Sequence, residues 1–265
     1  MQPMLNIATR AAQRAGKIMV RALNQGKDLH VDSKGHNDFV SEIDRQAEAT
    51  IIEVLHRAYP DHAFLAEESG KHTGGDYEWV IDPLDGTTNF VHGHPQFSIS
   101  IALKHHGQLE LGLIYDPLRE ELYTAARGEG AFLNDRRLHV SRLLSLEGAL
   151  IGTGFPFKMQ HHLDSYLATF KALFPLVADI RRAGSAALDL AYVAAGRLDG
   201  FWEIGLQEWD MAAGALLIQE AHGFVTDFSG EYDYLSTGNI ICGNAKILKG
   251  LIETIQPHLS ANLKK

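Results

Sequence analysis

The chain has a single cysteine, Cys242, in 265 residues. One cysteine makes no internal disulfide and no cysteine-rich zinc site, and its expected role is that of a small buried hydrophobe. Long apolar runs are missing too. The longest, Met211–Ile218, falls far short of a membrane span. Basic charge is in deficit, with 24 Lys and Arg against 33 Asp and Glu and a net charge of −9. The electrostatic footprint of a dedicated nucleic-acid binder is therefore absent. Arg10, Arg14 and Lys17 accompany no apolar signal core, so a cytoplasmic location is expected. What is present is an ordinary globular balance, 45% hydrophobic and 22% charged, enough to bury a sizeable core.

No repeat or Pro/Ser-rich linker divides the chain. Apolar residues at three-to-four spacing predict a helix over 4–25, stopped by Gly26, and another following Asp44 and ending at Tyr59-Pro60. The period then changes. Residues 62–66, 78–81, 97–103, 109–115 and 121–126 read as strands. The alternation in Ser98–Leu103 predicts a half-buried antiparallel strand. Further on, helices over 163–173, 185–195, 209–221 and 245–259 interleave with short strands near 177–181, 198–202, 224–226 and 240–242. The class is mixed α/β (α+β) with layered sheets. A soft boundary near Leu146–Gly148 separates 1–147 from 148–265, and neither half is expected to fold alone.

The stretch Trp79–Phe90 is the most informative. An apolar strand ends at Asp82, Pro83 favours an extended backbone there, and Gly86 permits a turn just past Asp85. Both carboxylates then converge on one point, which the Leu84 carbonyl also faces. Two carboxylates and a carbonyl suit a hard cation such as Mg²⁺. Gly86, Thr87 and Thr88 bring backbone N–H groups for an anion. The alternative is a plain strand-exit turn with an Asx cap. Glu67 and Glu68 leave an earlier strand, where adjacent acids are costly unless solvated or bound. Asp210 opens an apolar helix and alone reads as a dipole-favoured terminal acid.

These segments, taken in order, resemble the inositol monophosphatase family. Its first motif is similar to Asp82-Pro83-Leu84-Asp85-Gly86-Thr87-Thr88, and its second to Trp209-Asp210-Met211-Ala212-Ala213-Gly214. Further similar stretches are Asn37–Asp44, Ala66–Gly70 and Arg182–Ala187, so the resemblance runs from about Lys34 to Gly243. Other phosphate chemistries lack their signatures. There is no Asp-x-Asp, no Arg six residues after Cys242, and neither a P-loop nor a Gly-x-Gly-x-x-Gly.

The resemblance implies a layered α-β-α-β-α sandwich, a homodimer, and a Mg²⁺-dependent, lithium-sensitive phosphomonoesterase with two or three cations per site. It implies that Glu67, Asp82 and the Leu84 carbonyl hold one Mg²⁺, and Asp82, Asp85 and Asp210 a second. Glu67, Thr87 and Asp44 are the implied catalytic residues, with Thr87 orienting the attacking water and Asp44 accepting from its hydroxyl. A turn cap for Thr87 and an N-cap for Asp44 are the plainer readings. Glu68 is structural or binds a weaker third cation. Gly86, Thr87, Thr88, Gly184, Ser185, Ala186, Glu203 and Asp210 would contact substrate, although Glu203 also reads as a solvated loop acid. Lys34 and Asp38 would belong to a loop closing over the metals. His92 and His94 are discounted, because hard cations prefer oxygen, and His105-His106 and His161-His162 read as solvated pairs. The implied substrate is inositol monophosphate or a similar polyol or sugar phosphate. Fructose bisphosphate, NADP, nucleotide 3′-phosphates and histidinol phosphate are substrates of relatives. A non-catalytic place in a transcription antitermination complex is the alternative from another class.

Overall fold

The computed structural model describes residues 2–25, 31–35 and 38–264, the side chains of 31–41 excepted. Asn37 and the side chains of Lys34 and Asp38 thus lie outside the described set. In chain order the elements are α1 (Gln2–Asn24), β1 (Val31–Gly35), β2 (Asp38–Ser41), α2 (Glu42–Ala58), β3 (Ala63–Ala66), β4 (Gly70–His72), β5 (Tyr77–Asp85), α3 (Thr87–Val91), β6 (Ser98–His105), β7 (Gln108–Asp116), β8 (Glu121–Ala126), β9 (Gly130–Leu133) and β10 (Arg136–Arg137). They continue with β11 (Leu150–Thr153), α4 (Leu163–Leu173), β12 (Asp179–Arg181), α5 (Ala186–Ala194), β13 (Gly200–Glu203), α6 (Glu208–Glu220), β14 (Phe224–Thr226), α7 (Tyr234–Thr237), β15 (Ile240–Gly243) and α8 (Ala245–Ile255).

Among the described residues, β3 to β10 form one sheet of order β10-β9-β8-β7-β6-β5-β3-β4, and β11 to β15 form another of order β12-β11-β13-β15-β14. The strand period of two decides what each face meets. In β5, Trp79 and Ile81 pack with α1 and α2 residues such as Ala12, Met19, Ile51 and Leu55. Val80, between them, points to the opposite side and joins the core built by α5 and α6. That core continues into Phe201, Ile240 and Cys242 of the second sheet. The far face of that sheet, with Ile151, Trp202 and Ile241, packs on Tyr166 of α4 and on Ile247 and Leu251 of α8. The layers therefore run α-β-α-β-α.

The middle helices explain the one long apolar run. Met211–Ile218 of α6 is buried on every side, because the helix has a sheet on each flank. The same layer corrects the reading of β6 as half-buried. Ser98–Leu103 is buried throughout, and its polar face meets helix starts instead of water. Ser100 Oγ donates to the Trp209 carbonyl at 3.0 Å, and Lys104 Nζ lies 2.5 Å from Glu208.

Other differences are local. Helix α2 begins at Glu42, so Asp44 is its third residue and not its cap. The short strands β4, β9, β10 and β11 carry too few residues to show a period. His162 is buried, and His105 stacks on Tyr77 with ring centroids 4.2 Å apart, so neither histidine pair is simply solvated. Cys242 is fully buried, and burial pushes its thiol up. Among the described residues no helix is long and apolar enough to cross a membrane.

Candidate metal centre and substrate pocket

Strand β5 carries the centre at its end. Its pairing with β6 is regular to Asp82↔Ser100 and resumes at Asp85↔Ser98, with an irregularity between. Pro83 and Leu84 occupy that break, since proline has no N–H to give the ladder. The Leu84 side chain is buried, and its N–H donates to Asp82 Oδ1 at 2.9 Å. Gly86 then takes φ +95°, and a Cβ there would stand 2.9 Å from the Gln96 carbonyl. Glycine is required on both counts.

One carboxylate oxygen from each of Asp82, Asp85 and Asp210 falls within a 4.8 Å cluster. Asp210 arrives on the first turn of α6, where its Oδ2 accepts the Gln207 N–H at 2.7 Å in a capping box. The cap and the acidic centre are the same side chain. Glu67, just past β3, lines the same pocket. Burial and then the charges of Glu67, Asp85 and Asp210 push the Asp82 carboxyl well above its usual range. Asp210 is pushed up to about 7, first by burial and then by Asp85. Asp85 is also raised by burial, against the pull of its hydrogen bonds to Ser185 and Ala187. Crowded carboxylates of this kind need a counter-charge. An all-oxygen donor set fits a hard divalent cation and not a soft one.

The Thr87 hydroxyl lies between two acceptors, Asp44 Oδ1 at 2.9 Å and the Leu84 carbonyl at 3.1 Å. Asp44 is fully buried on α2 and comes from 43 residues away. The start of α5 is committed to the centre as well. Ser185 Oγ donates to Asp85 Oδ2 at 2.6 Å, and the Ala187 N–H donates to the same oxygen at 2.8 Å.

A pocket of about 370 Å³ opens over these groups. It gathers Gly86, Thr87, Thr88, Gly184, Ser185, Ala186 and Glu203 beside the acids. Glu203 ends β13, and burial, then Asp210 and Asp189, raise its carboxyl well above the ordinary range. A Cβ on Gly154 would overlap the Glu203 carboxylate, so this glycine leaves it room. His92 and His94 do not line the pocket.

The structure adds lining residues that the sequence reading assigned no role, among them Asn89, Lys158, Arg182 and Asp189. Asn89 Nδ2 donates to the Gln96 and Ala183 carbonyls at 2.7 and 2.9 Å, tying the α3 turn to the turn before α5. The Arg182 guanidinium lies 5.0 Å over the rings of both Phe155 and Phe157. The position of Arg182 beside Gly184-Ser185 was its signal in the sequence. Lys158 sits in a short 3₁₀ helix, Phe157–His162, whose sequence carried none.

A family model described as the inositol monophosphatase family matches residues 1–260. A relative from Pseudomonas aeruginosa called "Nus factor SuhB" is 56% identical over the whole of both chains. The crystal structure of extragenic suppressor protein suhB from Bartonella henselae superposes with a TM-score of 0.93 at 47% identity, covering 95% of this chain and 98% of that one. An inositol monophosphatase from Anabaena superposes with a TM-score of 0.86 at 40% identity, covering 97% and 96%.

Proposed function

The chain belongs to the inositol monophosphatase family, and from that membership we propose that it is a Mg²⁺-dependent phosphomonoesterase acting on inositol monophosphate or a similar polyol or sugar phosphate. The observation that carries this reading is the convergence of Asp82, Asp85 and Asp210 beside Glu67 and the Thr87–Asp44 hydrogen bond in one pocket. Glu67, Asp82, the Leu84 carbonyl, Asp85 and Asp210 would hold two or three cations. When bound, Mg²⁺ supplies positive charge against the phosphoryl oxygens and makes water a better nucleophile.

The protein's own groups supply orientation. With its O–H donating a hydrogen bond to Asp44, the Thr87 oxygen accepts from water and turns a lone pair of that water towards phosphorus. Displacement is in line, with no covalent enzyme intermediate. Gly86, Thr87 and Thr88 flank the phosphate. Gly184, Ser185, Ala186, Glu203 and Asp210 face the alcohol, where a carboxylate accepts hydroxyl hydrogen bonds and repels a second phosphate. A bisphosphate is therefore disfavoured. Lys158 and Arg182 on the pocket wall attract a dianionic ester.

The test is phosphate release from inositol 1-phosphate, fructose 1,6-bisphosphate, NADP, a nucleotide 3′-phosphate and histidinol phosphate, with Mg²⁺ and with chelator. Inositol 1-phosphate should be turned over best, and Li⁺ should inhibit more than Na⁺ or K⁺ at equal ionic strength. Turnover that persists in excess chelator overturns the reading.

The name of the Pseudomonas aeruginosa relative favours a second reading, membership of a transcription antitermination complex through protein partners. The acidic balance gives no support for direct RNA binding. An Asp82→Asn protein that complements a deletion strain without hydrolysing substrate would make that role the important one. A cytoplasmic homodimer is part of the proposal. The dimer is supported by the exposed apolar residues Leu163, Leu167 and Phe174 on and just past α4, which a second copy would cover.

A further inference from the structure

Helix α2 carries a second buried acid that the proposed reaction leaves unused. Glu48 follows Asp44 by one helical turn, so the two side chains share a face, and Glu48 is 3% exposed. Its two carboxylate oxygens each accept a backbone N–H at 2.8 Å, from Glu68 and from Ser69. These donors belong to the turn that follows β3, immediately after Glu67. The other side of that turn is tied down as well, because the Glu67 N–H donates to the Ile81 carbonyl at 3.1 Å. Ile81 is the residue before Asp82.

A carboxylate this deep is expensive to desolvate, and an apolar residue would fill the same space at less cost. Two peptide N–H groups offset part of that cost. In return they fix the backbone that presents Glu67, which must stand beside Asp82 for both to reach one cation. We propose that Glu48 is a positioning residue for Glu67, clamping the Glu68–Ser69 backbone so that α2 mounts two arms of the centre at once. Asp44 holds the Thr87 hydroxyl, and Glu48, one turn on, holds the Glu67 turn. The proposal rests on the metal-dependent reading given above. Groups that orient metal ligands from behind are worth about 10- to 100-fold in metal affinity or activity when removed.

The test uses Glu48→Gln, which keeps the volume and puts an NH₂ group against one of the two N–H donors. Glu53→Gln, on an exposed position of the same helix, is the control, and Glu48→Asp shortens the reach without removing charge. Read for each protein are Mg²⁺ affinity by calorimetry, the Mg²⁺ concentration giving half-maximal phosphate release from inositol 1-phosphate, kcat and KM for that ester at saturating Mg²⁺, and thermal melting in chelator. Glu48→Gln should weaken Mg²⁺ binding about 10-fold or more. Its KM at saturating Mg²⁺ should stay near the wild-type value. Glu48→Asp should fail to restore affinity, and Glu53→Gln should change nothing. Unchanged Mg²⁺ affinity in a folded Glu48→Gln overturns the proposal, and so does a loss of melting temperature in which kcat and Mg²⁺ affinity fall and KM rises together. If the wild type binds Mg²⁺ but releases no phosphate, the phosphatase reading fails while calorimetry still decides the role of Glu48.

Discussion

Asp85 and Ser185 are 100 residues apart in the chain and 2.6 Å apart in the fold. The hydrogen bond joins the end of β5 to the first turn of α5, and the Ala187 N–H reinforces it. A backbone N–H at this helix start, beside the residues expected to contact substrate, is thus spent on holding an acid in place. Ser185 acts through Asp85 before it acts on any ligand.

Ser185→Ala therefore removes a donor to a carboxylate and, with it, the side-chain cap of α5. The fold should lose about 1–2 kcal/mol in urea denaturation. The Mg²⁺ requirement should rise several-fold, about the worth of one such hydrogen bond, with little change in KM. A larger KM and an unchanged Mg²⁺ requirement would assign Ser185 to substrate instead.

Asp82→Asn should lower kcat by at least about 100-fold, on the order of 3 kcal/mol. Metal-free stability should move the other way. Removing one negative charge from a crowded buried group relieves repulsion, so melting in chelator should be no lower than wild type, and Mg²⁺ should no longer raise it. Near-normal turnover would remove Asp82 from the centre.

Glu203→Ala should alter substrate choice and leave the metal requirement alone. Loss of a hydroxyl-accepting carboxylate should cost inositol 1-phosphate about 10-fold in kcat/KM relative to a phenyl phosphate. Equal losses on both esters would show a general defect and not a substrate contact.

Lys104 supplies a pH-dependent test of the fold. Its ammonium lies 2.6 Å from Glu78 and 2.5 Å from Glu208. Burial alone would raise the Glu78 carboxyl, but Lys104 outweighs it and holds the group below its ordinary 4.5. A carboxyl depressed by folding adds stability above its unfolded pKa and loses it as pH falls through the folded value. Lys104 is itself raised: its burial pulls the other way, but hydrogen bonds to Glu208 and Glu78 prevail. Its contribution therefore persists to alkaline pH. Lys104→Met should lower the melting temperature most near pH 7–8, with the gap narrowing below about pH 4.5, where Glu protonates. A gap independent of pH would mean that lost packing, not charge, explains the effect.

The sequence made the β5 turn legible because Pro83 and Gly86 constrain it locally. Asp210 was visible as a helix-start acid and, through the resemblance, as an expected ligand; the fold puts it in the α6 capping box and within the cluster with Asp82 and Asp85. Glu48 was not visible. It sits beside the Ala47, Ile51 and Leu55 stripe, where an acid ordinarily marks the edge of the solvent face, and only the fold brings the Glu68 and Ser69 amides to it. Ser98 and Ser100 misled for a related reason. A period of two separates polar from apolar faces but does not reveal that the polar face meets helix starts. Lys158 and Arg182 lie outside any periodic segment, and the pocket wall they share is built by tertiary contact alone.

The hydrogen bonds that assemble the centre span 43 residues from Thr87 to Asp44, 100 from Asp85 to Ser185 and 109 from Ser100 to Trp209. Loops of that length close late, since their entropy must be lost before any contact rewards it. Until they close, Asp210 stays far along the chain from the Asp82–Asp85 turn, and the three acids have no common point. Mg²⁺ binding at the proposed centre is therefore expected of the completed fold and not of the folding transition state. Mg²⁺ should slow unfolding while leaving the refolding rate unchanged, so a protein kept loaded would resist proteolysis by staying closed longer, not by closing sooner.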